Sequence, residues 1–372
     1  ADYTEAIKLD PNNVNAYTNR GSAHAERREF DQAISDYTTA IKLDLNSNEI
    51  DWLYIRRGIA YREKQEFDKA IADFNEAIRI APYEVNGYYQ RGRAAIDRED
   101  YDQAIRDFSE CIRLSPENGV GNYVRGLACY KHDEYEKAIA DFTESLRINP
   151  QDANVLQYRA NAWYYISNFD NAISDYTEVA KIEPRNGDAI YWRGVAWTMK
   201  GEHQKAVADY ESAAKIDPKN AEVLTELARS RSHLNDVDHA MADLDEAIKL
   251  DADEPDAYEL RGYLWMQKKN FDKAIDDYTT AIKLAPEKAD LHAERGNAWF
   301  EKSEYDKAID DYDVSIRLDP KVASVFASRA AAWKFKQEYE KALRDYDEAI
   351  KLDPQDETSY LFRGVVHGLR NE

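Results

Sequence analysis

The spacing of proline limits what this chain can fold into more than any other feature. Pro82, Pro116, Pro150, Pro184 and Pro218 stand 34 residues apart, as do Pro286, Pro320 and Pro354. Pro218 to Pro286 is two such periods, with Ala252 where the intervening proline belongs. Pro11 to Pro82 is two periods plus three residues, with Leu45 in the proline place and an insertion near Asn48 to Ile50. Pro255 follows Ala252 by three residues, in the same inter-unit turn. Proline cannot continue a helix and restricts the residue before it, so each one marks a boundary. A fixed period of this size implies a stacked repeat. That overrides the two or three globular units, at about 150 residues each, that a length of 372 would suggest.

Each unit reads as two amphipathic helices. Places are counted from the third residue after the proline, so Val14 opens the first full unit. Large residues at place 4 (Tyr17, Tyr54, Tyr88, Tyr258, Tyr360) precede glycine at place 8 (Gly21, Gly58, Gly92, Gly262, Gly364). Place 11 is usually large, as in Trp163, Trp197, Trp265, Trp299 and Trp333, and these tryptophans are expected in the core. Trp52 and Trp192 break that rule. Offsets of four and three share one face of a first helix, A. Phe30, Ala33, Ile34, Tyr37, Ala40 and Ile41 then carry the period of a second helix, B. Asn13, Asn118, Asp152, Asn186, Asn220 and Asp356 stand where a side-chain oxygen caps the next helix A. Place 20 is alanine in every full unit, Ala33, Ala172 and Ala342 among them. A mid-helix glycine costs about 1 kcal/mol against alanine, so small residues at places 8 and 20 mark where A and B touch.

Composition narrows the function. Lys and Arg total 50 against 72 Asp and Glu, a formal charge of -22. Such a surface argues against nucleic acid and anionic membrane, both of which call for basic patches. Hydrophobic residues make up 43%, enough to bury a core. No apolar run approaches the roughly 20 residues of a membrane span, and no secretory signal opens the chain. Cys111 and Cys129 cannot build a disulfide framework, and a cytoplasmic location is expected. The histidines show no metal spacing, and His233 and His239 would sit on different sides of a helix. No Gly-rich phosphate loop follows a strand, because no strand is expected. No catalytic residue, metal ligand or cofactor is therefore assigned, and the chain is not expected to be an enzyme.

The 34-residue helix-turn-helix, with alanine at place 20, an aromatic at place 24 and proline at place 32, resembles the tetratricopeptide repeat. Its YxxRG…DYxxAI form has a bacterial look, and the resemblance covers essentially the whole chain. It implies an all-α fold, a right-handed superhelical solenoid of stacked antiparallel helix pairs. Helices A would line its concave wall, where the family generally binds peptides or partner proteins as a scaffold or adaptor. On that reading residues 1–372 form one solenoid. Residues 1–13 are the second half of a truncated repeat, 14–356 are ten full repeats, and 357–372 are a lone helix A serving as cap or truncated repeat. Ends that fall inside a unit point to a segment of a longer protein. Two alternatives follow: an array that recruits substrate for a catalytic part outside this segment, and end-to-end self-association.

Arginine recurs at place 7 (Arg20, Arg91, Arg193 and Arg363 among others), and aspartate at place 23 in every full unit, from Asp36 to Asp345. The family more often carries leucine at place 7. Recurrence in step with the core implies an Arg–Asp ion pair at each A/B contact. Leu227 interrupts the series and leaves Asp243 or Asp209 without its usual partner. Places 2, 5, 6, 9, 12 and 13 face away from helix B by helical geometry and, by the resemblance, line the concave wall. In the third to sixth units they include Tyr89, Tyr123, Tyr130, Tyr158, Tyr164, Tyr191 and Trp192, residue types that dominate binding hot spots. In the seventh to ninth they include Glu226, Glu259 and Glu294, with Arg229 the one strong base. The partner expected is therefore bipartite, an apolar or aromatic segment followed by a basic one. Place 5 holds no lysine, so the carboxylate clamp of chaperone-tail binders is missing. Asn19 is the only asparagine at place 6, beside Arg56, Gln90, Val124, Tyr158 and Trp192, so the asparagine ladder of sugar-transferase superhelices is missing too.

Overall fold

The computed structural model describes residues 2–44 and 50–370, and these residues form 22 α-helices and no strand. In chain order they are α1 (Asp2–Leu9), α2 (Val14–Glu26), α3 (Phe30–Leu43), α4 (Asp51–Glu63), α5 (Phe67–Ile80), α6 (Val85–Asp97), α7 (Tyr101–Leu114), α8 (Val120–Lys131), α9 (Tyr135–Ile148), α10 (Ala153–Tyr165) and α11 (Phe169–Ile182). They continue with α12 (Gly187–Met199), α13 (His203–Ile216), α14 (Ala221–His233), α15 (Val237–Leu250), α16 (Pro255–Gln267), α17 (Phe271–Leu284), α18 (Ala289–Glu301), α19 (Tyr305–Leu318), α20 (Ala323–Phe335), α21 (Tyr339–Leu352) and α22 (Glu357–Arg370). Even numbers are helices A and odd numbers helices B, in the period expected from the sequence. Leu45 and the insertion expected near Asn48 lie outside the described residues, while Ile50 is buried just ahead of α4.

Contacts divide the chain into two compact units, residues 1–189 and 190–372. Within each, A and B of a pair pack as an antiparallel hairpin, and each B also packs on the A that follows. The close approach is made by the residue at place 8: a Cβ on Gly126 would lie 2.7 Å from the Phe142 ring at place 24. Caps hold the helix starts, as Asn13 accepts from the Ala16 amide and Asp152 from those of Asn154 and Val155. Every A-to-B turn passes through one left-handed residue, glycine only at Gly201 (φ 74°) and otherwise polar, as at Arg28 (φ 59°) and Ser303 (φ 62°). The next amide then closes the helix end, Glu29 donating to the His24 carbonyl at 2.9 Å. The tryptophans at place 11 were expected in the core but are only half-buried. A lysine ammonium from helix B lies 4.2 to 4.4 Å from the ring centroids of Trp265 and Trp299. Lysine stems thus cover rings that the helix packing leaves open.

Ala172 is fully buried in α11, against α10. Ala172→Leu should therefore overpack the contact and cost about 1–3 kcal/mol, read from a thermal or urea melt. An unchanged melt would place the A/B contact elsewhere.

The arginine ladder is an ion-pair ladder. Arg125 forks Asp141 with Nε at 2.8 Å and Nη2 at 2.6 Å, and Arg295 forks Asp311 at 2.9 and 2.6 Å. The remaining nitrogen does something the sequence did not suggest. It reaches back to place 25 of the preceding repeat, Arg125 to Ser109, Arg159 to Thr143 and Arg295 to Thr279, each at 3.1 Å. Each arginine thus ties its own pair together and joins it to its predecessor. The expectation of a stranded aspartate near Leu227 is overturned. Asp209 keeps Arg193 at 2.6 Å, and Asp243 takes Arg231 Nη1 at 2.5 Å, whose Nη2 also donates to Glu211 at 2.6 Å.

Candidate binding surfaces

In the first unit the predicted wall residues divide into a cluster and an outlier. Tyr123 of α8 lies with its ring centroid 6.3 Å from both Phe142 and Tyr158, and Tyr158 of α10 stacks on Phe142 at 6.1 Å. Tyr130 meets Tyr158 edge-on at 5.7 Å and Tyr165 at 6.0 Å. Tyr164 joins through Tyr165 at 6.0 Å and Phe169 at 5.6 Å. Tyr89 stands apart on α6, tilted on Phe108 at 6.2 Å, with the Arg93 guanidinium 5.8 Å from its ring. It lines a cavity of about 270 Å³ with Val85, Cys111 and Val120. All five tyrosines are half-buried, and burial pushes the phenols of Tyr123 and Tyr130 up. Neighbouring A helices use part of this face for their own packing, since Thr18, Ile55 and Val124 are buried outright. What is left open combines half-buried tyrosine rings with exposed charged side chains such as Arg93, Asp97 and Lys131.

Tyr165, 53% exposed, stacks on Tyr135 at 4.8 Å. This is a place-17 residue of one unit on place 13 of the next, 30 residues on. The second unit repeats it with Tyr305 on Phe335 at 5.2 Å, and again with His203 on His233 at 4.4 Å. Burial, then the neighbouring His233, lowers the His203 pKa. These stacks make place 13 an inter-repeat contact.

In the second unit, Tyr191 donates to Glu222 at 2.7 Å and packs beside Trp192 at 5.6 Å and Tyr210 at 5.7 Å. Glu226 accepts from Arg229 at 3.1 Å. Arg229 is not the only strong base here: Lys288, from the turn before α18, donates to Glu259 at 2.5 Å and to Asp256 at 3.1 Å. Glu294 is half-buried, and burial raises its carboxyl, with Glu259 and Asp290 adding to the rise and an Asn297 hydrogen bond opposing it. The structure therefore brings Glu259 and Glu294 together beside α16 and leaves Glu226 in a local ion pair. Burial also raises both thiols, Cys111 to about 12 and Cys129 to about 11, which keeps them protonated and unreactive near neutrality. Among the described residues no group of three or more His, Cys, Asp or Glu could hold a metal ion. No described helix is long and apolar enough to cross a membrane.

Comparison with known proteins agrees along the chain. A family model described as tetratricopeptide repeat matches residues 89–153, 159–221 and 266–323, together half of the chain. Further models of that description match 2–35, 52–84 and 198–262, and one described as TPR repeat matches 336–369. A 42-residue stretch is 50% identical to small glutamine-rich tetratricopeptide repeat-containing protein 2 of Saccharomyces cerevisiae. A 46-residue stretch is 48% identical to DnaJ homolog subfamily C member 7 of Homo sapiens. Each match covers 11% of this chain, and the chain spans only 12% and 9% of the length of these two relatives. Among solved structures, the C-terminal part of a TPR repeat-containing protein from Cytophaga hutchinsonii has a TM-score of 0.54 at 16% identity, over 64% of this chain and 98% of that one. The Cut9–Hcn1 hetero-tetramer of the APC/C has a TM-score of 0.52 at 15% identity, over 98% of this chain and 81% of that one. At such identities the likeness is one of fold.

Proposed function

Because the chain belongs to the tetratricopeptide repeat family, a family of protein–protein interaction scaffolds, we propose that each of its units binds a peptide or partner protein on the wall of its A helices. The observation that carries this is the half-exposed ring cluster of Tyr123, Tyr130 and Tyr158. Its rings are already ordered against one another and against Phe142, so little side-chain entropy remains to be lost on binding. That wall suits an apolar or aromatic segment, with Tyr89 and Tyr164 extending it. The wall of the second unit suits a basic segment, against Glu226, Glu259 and Glu294 beside Tyr191 and Trp192. Its field speeds the approach of a cationic partner and weakens with salt.

Peptides selected against the full chain from a displayed library test both halves. Tyr158→Ala should weaken aromatic peptides by about tenfold or more, as at a hot spot, while Tyr158→Phe keeps the ring and most of the affinity. Equal binding to both variants and to wild type would make these rings packing residues. Basic peptides should lose affinity as ionic strength rises, and salt-insensitive binding would remove the acidic half of the reading.

A further inference from the structure

In most repeats that carry tyrosine at place 24, its buried hydroxyl is satisfied from the same unit. Tyr37 donates to Ser22, Tyr176 to Asn161 and Tyr312 to Asn297, all at place 9, and Tyr210 meets Thr198 at 3.2 Å. Where place 9 is Ile59, Arg93 or Leu127, place 24 is Phe74, Phe108 or Phe142, which has no hydroxyl to satisfy. Tyr278 departs from this rule. Place 9 of its unit is Tyr263, its side chain is 0% exposed, and its hydroxyl has no hydrogen-bond partner. An unmet buried hydroxyl is costly, and phenylalanine is the residue this chain uses elsewhere to avoid it.

Tyr278 lines a cavity of about 290 Å³ in the second unit, between α14, α16, α17 and α18. Glu259, Glu294, Leu260 and Tyr263 line it too, with Arg229 also in its wall. The two strong bases nearby are already engaged, Arg229 with Glu226 and Lys288 with Glu259 and Asp256, and the lining His233 stacks on His203. Glu294 is the carboxylate left over. The cavity thus holds two carboxylates and one phenol oxygen with a free lone pair, together with the apolar surface of Leu260 and the Tyr263 ring.

We propose that this cavity receives one lysine side chain of a protein partner, its ammonium held by Tyr278 Oη, Glu294 and Glu259 and its stem lying on Leu260 and Tyr263. An ammonium has three donors and no acceptor, which matches three acceptors in one cavity. The apolar stem suits Leu260 and the Tyr263 ring. This rests on the reading that the second unit's wall takes a basic segment, and it adds a single receptor to that wall.

The test uses fluorescein-labelled hexalysine and the full chain. Tyr278→Phe and Glu294→Gln should each weaken hexalysine by roughly tenfold, the loss expected for a charge-assisted hydrogen bond or an ion pair. Tyr346→Phe serves as control, since Tyr346 has the same unpartnered hydroxyl but stacks on Phe362 at 6.5 Å. It should leave binding unchanged. The fold is expected to tolerate Tyr278→Phe, because phenylalanine stands at the same place in three other repeats, and a thermal melt of each variant checks this. Salt-sensitive binding that is equal in wild type, Tyr278→Phe and Glu294→Gln would overturn the receptor while leaving the acidic wall standing. Absence of any hexalysine binding would overturn both.

Discussion

Replacing Arg91 by leucine should cost about 3–5 kcal/mol, the range for stripping one partner from a buried ion pair. The carboxylate left behind is that of Asp107, 1% exposed, which Arg91 forks at 2.9 and 2.6 Å. Gln103 Nε2 would still donate to it at 3.0 Å, but one neutral donor does not offset the desolvation of an anion. The opposite deletion should be milder. In Asp107→Leu the guanidinium retains Asn75 at 2.5 Å and the Tyr88 ring at 5.8 Å, and its side chain is 20% exposed, so it can turn toward water. Removing both charges, with Arg91→Leu and Asp107→Leu together, should recover more than half of the single-site loss, because no charge is then stranded. In a repeat array stability is nearly a sum of local terms, so the effect should concentrate in α6, α7 and their neighbours. Amide hydrogen exchange in those helices should speed up by roughly a hundredfold or more, with the distant helices of the second unit unchanged. A cost below about 1 kcal/mol would class these pairs with exposed salt bridges and remove the ladder from the account of stability.

The same ladder shows where reading the repeat works and where it stops. Features that recur at the 34-residue period were legible: the helix pairs, the alanine contact at Ala172, the glycine under Phe142 and the Arg–Asp pairing all follow from position within one unit. What escaped lies between units or replaces one place by another. The Tyr135–Tyr165 and Tyr305–Phe335 stacks join residues 30 apart, so aligning units by place sets their members in different columns. Lys288 sits in the inter-unit turn, outside the helix-A places counted as wall, yet it neutralises part of that wall through Glu259. The left-handed residue of each A-to-B turn left little signature, since arginine, glutamine, glutamate, lysine and serine occupy it in seven of the ten turns and only Gly201, Asn235 and Asp133 are types that conformation favours. The candidate wall was legible as a set of faces but not as a set of free side chains. Helical geometry says which residues face away from helix B, whereas only packing says how much of Tyr123 or Thr18 the next helix A covers.

The seventh unit gives the sharpest test of substitution between places. Arg231→Leu should cost about 3 kcal/mol, because Asp243 then loses its one strong cation while its side chain is only 14% exposed. The arginine itself is 16% exposed and also holds Glu211 of the preceding repeat, so its loss uncouples two units as well as stranding a charge. Adding Leu227→Arg should restore most of that stability. Positions 227 and 231 lie one turn apart on the same face of α14, and the restored arginine would stand 16 residues before Asp243, the spacing at which Arg193 forks Asp209 and Arg261 forks Asp277. Leu227→Arg alone should gain little, since two guanidinium groups would then compete for one carboxylate. Urea melts give the size of each effect, and hydrogen exchange in α14 and α15 locates it. If the double variant stays as unstable as Arg231→Leu, the place-11 arginine is not a displaced rung of the ladder. Its contact with Glu211 would then be the part that matters, and Glu211→Gln alone should reproduce the loss.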